Sequence, residues 1–256
     1  MKKAEKLALG FAGSFFLILV WALASRMVNS SLILPNIADV RQAIGTLGAS
    51  SVLTQAVSGT FLRVLEAFML SVMIGSLTGI LSGLHESIEF FLSPFLTTIR
   101  ATPVLALILI LMFWMPSSQV PVISAFLMAY PIMHTSLRTG IKMTDKDLLE
   151  MAQLFRVPKT QTFFLLRLPS ALGHFLSGSK NSLGLCWKVV VAGEVISQPQ
   201  FALGTKLQEA RLSLETPEVF AWVFITVLLC GMSEYLLSRA SRSFSSGRWS
   251  THHEQL

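Results

Sequence analysis

Apolar residues run through this chain in six stretches of about 20, separated by shorter segments that hold most of the charge. The stretches lie near 7–28, 61–83, 96–115, 120–140, 176–197 and 217–238. A helix that crosses a hydrocarbon core needs about 20 mainly apolar residues. Lipid offers no partner to open backbone groups, so spanning segments are helices or the alternating strands of a closed barrel. Here the apolar positions come in runs. The pattern predicts an all-α membrane protein with about six transmembrane helices in one domain, 1–238, and a solvated, poorly ordered tail at 239–256. The third span is the least regular: Pro94 and Pro103 interrupt it, and 88–92 reads as a short interfacial helix before it. No internal repeat is visible.

Composition agrees. Apolar residues make up 52% and charged residues 13%, with a mean hydropathy of +0.63. A soluble domain carries about 25% charged residues, too many for this chain to match. The two cysteines, Cys186 and Cys230, sit inside apolar runs, which excludes a disulfide framework. The net charge of +6 does not form a nucleic-acid face, because the basic residues lie in short stretches between spans. They do orient the chain. Lys2, Lys3, Lys6, Lys142, Lys146, Arg156, Lys159, Arg167, Arg239, Arg242 and Arg248 fall on one side, and Arg41, Lys206 and Arg211 on the other. Eleven against three predicts both termini in the cytoplasm. The first apolar stretch, ending near Ala22-Leu23-Ala24, resembles a secretory signal. It exceeds the usual 7–15 apolar residues, so an uncleaved anchor is expected. Trp249 reads as an exposed tail aromatic.

Signatures of catalysis are missing from the sequence. It has no GxxxxGK[ST] phosphate loop, and 176–180 (LSGSK) opens an apolar span as small packing residues. His85, His134, His174, His252 and His253 show no metal-ligand spacing, and no nucleophilic triad or carboxylate pair stands out. A membrane enzyme is disfavoured, and no cofactor or metal is expected on this chain.

The most informative segment is the cytoplasmic loop 141–175. Thr144 and Asp147 have capping-box spacing, with Thr144 set to accept from the amide of residue 147. Leu148, Met151, Ala152 and Phe155 then form one apolar stripe at helical spacing. Pro158 suits the first turn of a second helix running to about Leu166 and stopping before Pro169. Two short helices with a sharp bend make either a docking knob or a loop lying on the lipid surface, and the physical pattern alone leaves both open.

The loop resembles the EAA motif of binding-protein-dependent ATP-binding-cassette importers: EAA, three residues, Gly, nine residues, then I-x-L-P. Glu150-Met151-Ala152 stands for EAA, Leu166 for Ile, and Leu168-Pro169 for the final pair. Met151 replaces the first Ala, and Arg156 stands where the motif has Gly. The Gly permits a bend, and Pro158 offers another route to it. The resemblance covers about 60–198. Arg100-Ala101-Thr102-Pro103 resembles the Arg-x-x-Pro segment before the third span. The string GLCWKVVVAGEVIS at 184–197 resembles the fifth span of the nitrate, sulfonate and taurine permease group, which includes transporters of thiamine-precursor pyrimidines. The resemblance implies a type I importer permease fold and a homodimer in the bacterial inner membrane. It implies two partner ATPases, which carry the ATP and Mg, docked at this loop, and an external substrate-binding protein. A small solute, either a sulfonate-, nitrate- or taurine-like anion or a thiamine-precursor pyrimidine, would cross by alternating access. A non-transporting membrane scaffold whose loop binds a partner is the rival.

Charges inside the spans complete the candidate sites. Arg63 and Glu66, one turn apart, are expected to pair. Lys188 and Glu194 are about 120° apart around an ideal helix and need partners elsewhere. Arg100, Pro103, Trp187, Lys188 and Glu194 are the candidate pathway residues. For Lys188 the alternatives are an anion-attracting charge in the pathway or a structural pair with Glu66 or Glu194. Glu234 reads as interfacial. Gly75, Gly79 and Gly83, at four-residue spacing, predict a close helix contact.

Overall fold

The computed structural model describes residues 3–249, with side chains throughout 18–241. Lys2, His252 and His253 lie outside the described residues, as do the side chains of Lys3, Lys6, Arg242, Arg248 and Trp249. Among the described residues every regular element is helical. The order is α1 Lys3–Val28, α2 Ile37–Gly48, α3 Ser51–Leu84, α4 Glu86–Ala101, α5 Val104–Leu111, α6 Val120–Lys142, α7 Lys146–Leu154 and α8 Lys159–Thr162. A π-helical turn, Phe163–Arg167, leads directly into α9 Leu168–Ser197; α10 Leu203–Leu212 and α11 Thr216–Trp249 complete the chain.

The centre is a three-helix packing of α3, α6 and α9. In lipid there is little hydrophobic gain from joining two apolar helices, so close backbone approach at small residues decides which faces meet. Gly75, Gly79 and Gly83 lie against Met133, His134, Leu137 and Ile141 of α6, where a methyl group would overlap its backbone and side chains. Gly140 and Gly178 repeat the device between α6 and α9, against Ala171 and Ser136. Trp187, Val190, Val64 and Phe68 fill the space between α3 and α9.

Three described helices are long and apolar enough to cross a membrane: α3, α6 and α11 over Thr216–Ser241. They become four if α4 and α5 count as one bent span. Helix α9 has 30 residues, about 45 Å at 1.5 Å per residue, but Lys180, Lys188 and Glu194 lower its apolarity. In α1 the described apolar part is Ile18–Val28.

Several expected boundaries move. The third span is not a continuous helix over 96–115: α4 passes through Pro94 unbroken, then the axis turns by 99° at Thr102-Pro103. Pro103 forces Thr102 into an extended conformation (φ −76°, ψ 126°) and so ends α4. The separate helix expected at 88–92 is simply part of α4. Pro169 does not stop a helix, because it occupies the first turn of α9, where no amide hydrogen is needed. The helix that contains the expected fifth span therefore starts at Leu168 rather than 176. Helix α11 continues to Trp249, so 239–249 is helix rather than a disordered tail.

Candidate coupling loop and translocation pathway

The loop forms a knob of α7 and α8. The cap differs from the expected one: Asp145, not Thr144, caps α7, its carboxylate accepting from the Asp147 amide at 2.9 Å. Thr144 is buried and donates instead to the Ile141 carbonyl, tying the knob to the end of α6. The Thr144 hydroxyl is one residue too early to reach the first free amides of a helix that begins at Lys146.

The bend is made at Arg156. Its backbone is left-handed, φ 52°. The Arg156 amide donates to Gln153 O at 3.0 Å and the Val157 amide to Ala152 O at 2.8 Å. These are the two bonds of a Schellman ending, in which glycine is the preferred left-handed residue. Arg156 thus takes the conformation of the glycine it replaces, and the expectation that Pro158 substitutes for it is corrected. Pro158 contributes the extended entry to α8.

Of the apolar stripe, only Ala152 is buried within the chain. With Leu149, Val157 and Phe163 it lines a crevice of about 490 Å³ against Leu84 and His85 at the end of α3. Leu148 and Met151 are exposed, while Leu154 and Phe155 at the tip are 83% and 78% exposed. Asp147, Glu150, Arg156 and Pro158 are exposed around them, as are Leu168 and Pro169 at the start of α9. The sequence reading missed a brace behind the knob. Glu89 of α4 bonds Arg138 and Lys142 of α6, the latter at 2.5 Å. The two cations four residues apart at the end of α6 signalled an acidic partner.

At the far end of α9 the structure builds a buried polar node. Glu194 is fully buried. It accepts from Thr60 Oγ1 at 2.9 Å, Arg63 Nη1 at 2.9 Å and the Gly204 amide at 3.0 Å. Thr60 Oγ1 in turn accepts from the Leu203 amide at 2.9 Å. Arg63 also donates to the carbonyls of Gln200, 2.8 Å, and Phe201, 3.2 Å. The expected Arg63–Glu66 pair is not formed: Glu66 is exposed and makes no ion pair among the described residues. A fully buried carboxylate on a neighbouring helix gains far more from the guanidinium than an exposed one on the same helix does.

The other pathway residues do not converge with Glu194. Arg100 donates to the Pro131 carbonyl at 3.2 Å and to Thr135 Oγ1, bracing α4 on α6, and Pro103 sits at the α4–α5 bend. Trp187 is 1% exposed in the core and stands 6.5 Å from Phe61. Lys188 is exposed and forms no ion pair with Glu66 or Glu194 among the described residues of this chain. One turn before it, Gly184 admits the carboxylate of Glu234 close to α9.

The family model described as "Binding-protein-dependent transport system inner membrane component" matches residues 71–243. The taurine transport system permease protein of Escherichia coli (strain K12) is 25% identical over 87% of this chain and 82% of its own. A putative aliphatic sulfonates transport permease protein of Bacillus subtilis (strain 168) is 25% identical over 91% of this chain and 84% of its own. Among solved structures, a methionine ABC transporter in an inward-facing conformation superposes with a TM-score of 0.63 at 15% identity, over 75% of this chain and 95% of that one. The chain belongs to the family of binding-protein-dependent transport system inner membrane components and is a permease subunit of an ABC importer.

Proposed function

We propose that this permease forms half of a homodimeric importer, docks a cytoplasmic ATPase on the knob α7–α8, and passes a small anionic solute delivered by an external binding protein. The observation that carries this reading is the knob itself. Its apolar tip is exposed, its bend is fixed by two backbone bonds, and it joins α9 without a break through the π-helical turn. A lipid-lying loop would need no such rigid bend. ATP and Mg belong to the partner ATPase, because this chain lacks a phosphate loop. The excess of basic residues on the knob side supports a cytoplasmic location for both termini.

The solute class rests on two supports. The relatives named above are permeases for taurine and aliphatic sulfonates. Lys188, unpaired within α9, supplies a positive charge that an anion would meet. The experiment is co-expression with the ATPase and binding protein, purification of the complex, and ATP hydrolysis with and without sulfonate-loaded binding protein. Stimulated hydrolysis is expected. A permease that copurifies with no ATPase would refute the reading.

A further inference from the structure

Two cavities behind the knob share Phe164 of the π-helical turn as a common wall. One is the crevice of about 490 Å³ between the knob and the end of α3. The other, of about 530 Å³, lies between α3, α6 and the first two turns of α9. Each falls within the roughly 300–1,000 Å³ of ordinary small-ligand sites. Along α3 their lining runs from Leu84, its last residue, back to Ser76, about 12 Å at 1.5 Å per residue. Helices α3 and α6 are both long and apolar enough to cross the membrane. The paired cavities therefore lead from the membrane surface at the knob into hydrocarbon depth.

Their chemistry changes along that line. Ile80, Leu137, Leu172 and Phe175 line the deep cavity, where the Ser76 hydroxyl is the only polar side-chain group. The crevice above it holds Lys159 and Arg167 beside Val157 and Phe163. Neither cation forms an ion pair among the described residues, and no carboxylate lines either cavity. An apolar slot beneath two unneutralised cations matches an amphiphile with an acyl chain below and an anionic headgroup above. A basic pocket between membrane helices favours a headgroup of net negative charge, and arginine adds paired donors for phosphate oxygens. A zwitterionic headgroup brings its own cation against these two and gains less. Leu154 and Phe155, the exposed tip of the knob, line neither cavity, so this cleft is separate from the surface offered to the ATPase.

We infer that the cleft binds one anionic phospholipid, its phosphate held by Lys159 and Arg167 and an acyl chain lying along Ile80 and Leu172. On the orientation proposed above, the lipid belongs to the cytoplasmic leaflet. The test counts lipid bound to the full-length permease in mild detergent by native mass spectrometry, as phosphatidylglycerol or phosphatidylcholine is titrated in. One phosphatidylglycerol per permease is expected, saturating at a concentration about tenfold below that of phosphatidylcholine. Lys159→Gln with Arg167→Gln should weaken phosphatidylglycerol about tenfold and leave the melting temperature without lipid unchanged, because no ion pair is lost. Leu172→Trp, which fills the deep cavity without changing charge, should weaken it by a similar factor. Millimolar inorganic phosphate should not displace the lipid, because it has no chain to place in the slot. Equal binding of the two lipids, full binding by the Gln pair or by Leu172→Trp, or displacement by phosphate would each overturn the proposal. So would a disulfide between two copies through Leu172→Cys, which would seat a second copy in the cleft. The count reads neither ATPase nor uptake, so a permease that holds the lipid but recruits no ATPase would sink the importer reading alone.

Discussion

Arg63 of α3 reaches Glu194 of α9 across the helix interface, with Nη1 2.9 Å from Oε1 and the carboxylate fully buried. The two residues are 131 positions apart in sequence. The pair joins the N-terminal half of α3 to the C-terminal half of α9, two helices whose other halves are already locked to α6 through glycines. Removing one member leaves an uncompensated buried charge, which costs about 3–5 kcal/mol. Glu194→Ala should therefore sharply lower the thermal midpoint in detergent. Glu66→Gln, on the exposed face, should leave it unchanged. Equal effects of the two would contradict the observed partner choice.

At Arg156 the expected change has the opposite sign. Left-handed geometry costs a non-glycine residue roughly 1–2 kcal/mol, which glycine avoids. Arg156→Gly should slow hydrogen exchange at the Arg156 and Val157 amides, the two Schellman donors. Arg156→Val should accelerate it. Faster exchange in the Gly variant would show that the side chain, not the backbone, holds the bend.

Helix positions were legible because runs of apolar residues need only local sequence to be read. The glycine spacing 75, 79, 83 likewise announced a helix contact, and α6 fills it. The partner of Arg63 was not legible, since a local i,i+3 carboxylate at Glu66 competes on paper with a distant one. Burial decides between them, and burial is a property of the fold. Pro103 and Pro169 show the same limit. Both residues suit a helix start, yet one marks a 99° bend and the other continues a helix through a π-turn. The left-handed backbone of Phe201 (φ 51°) left no mark in composition at all.

Lys188 stands without an ion pair among the described residues. Because no ion pair within the described chain is lost, Lys188→Met should leave the amount of assembled complex and basal ATP hydrolysis unchanged, while uptake of a sulfonate falls about tenfold. Measuring the three side by side distinguishes the roles. Normal uptake would remove Lys188 from the pathway, and loss of assembly together with uptake would restore a structural role.

In the proposed importer the ATPase docks on the knob. Ala152 is the one stripe residue buried within the chain, the seventh of the nine residues of α7. A proline there removes a helical amide and clashes with the preceding turn, at a cost of about 3 kcal/mol or more. The nine-residue α7 should not survive it, whereas the packed helices α3, α6 and α9 should. The direct measurement is copurification of the ATPase with Ala152→Pro, alongside the amount of permease inserted in the membrane. Normal insertion with the ATPase lost is expected. Normal insertion with the ATPase retained and uptake at the usual rate would contradict docking on the knob.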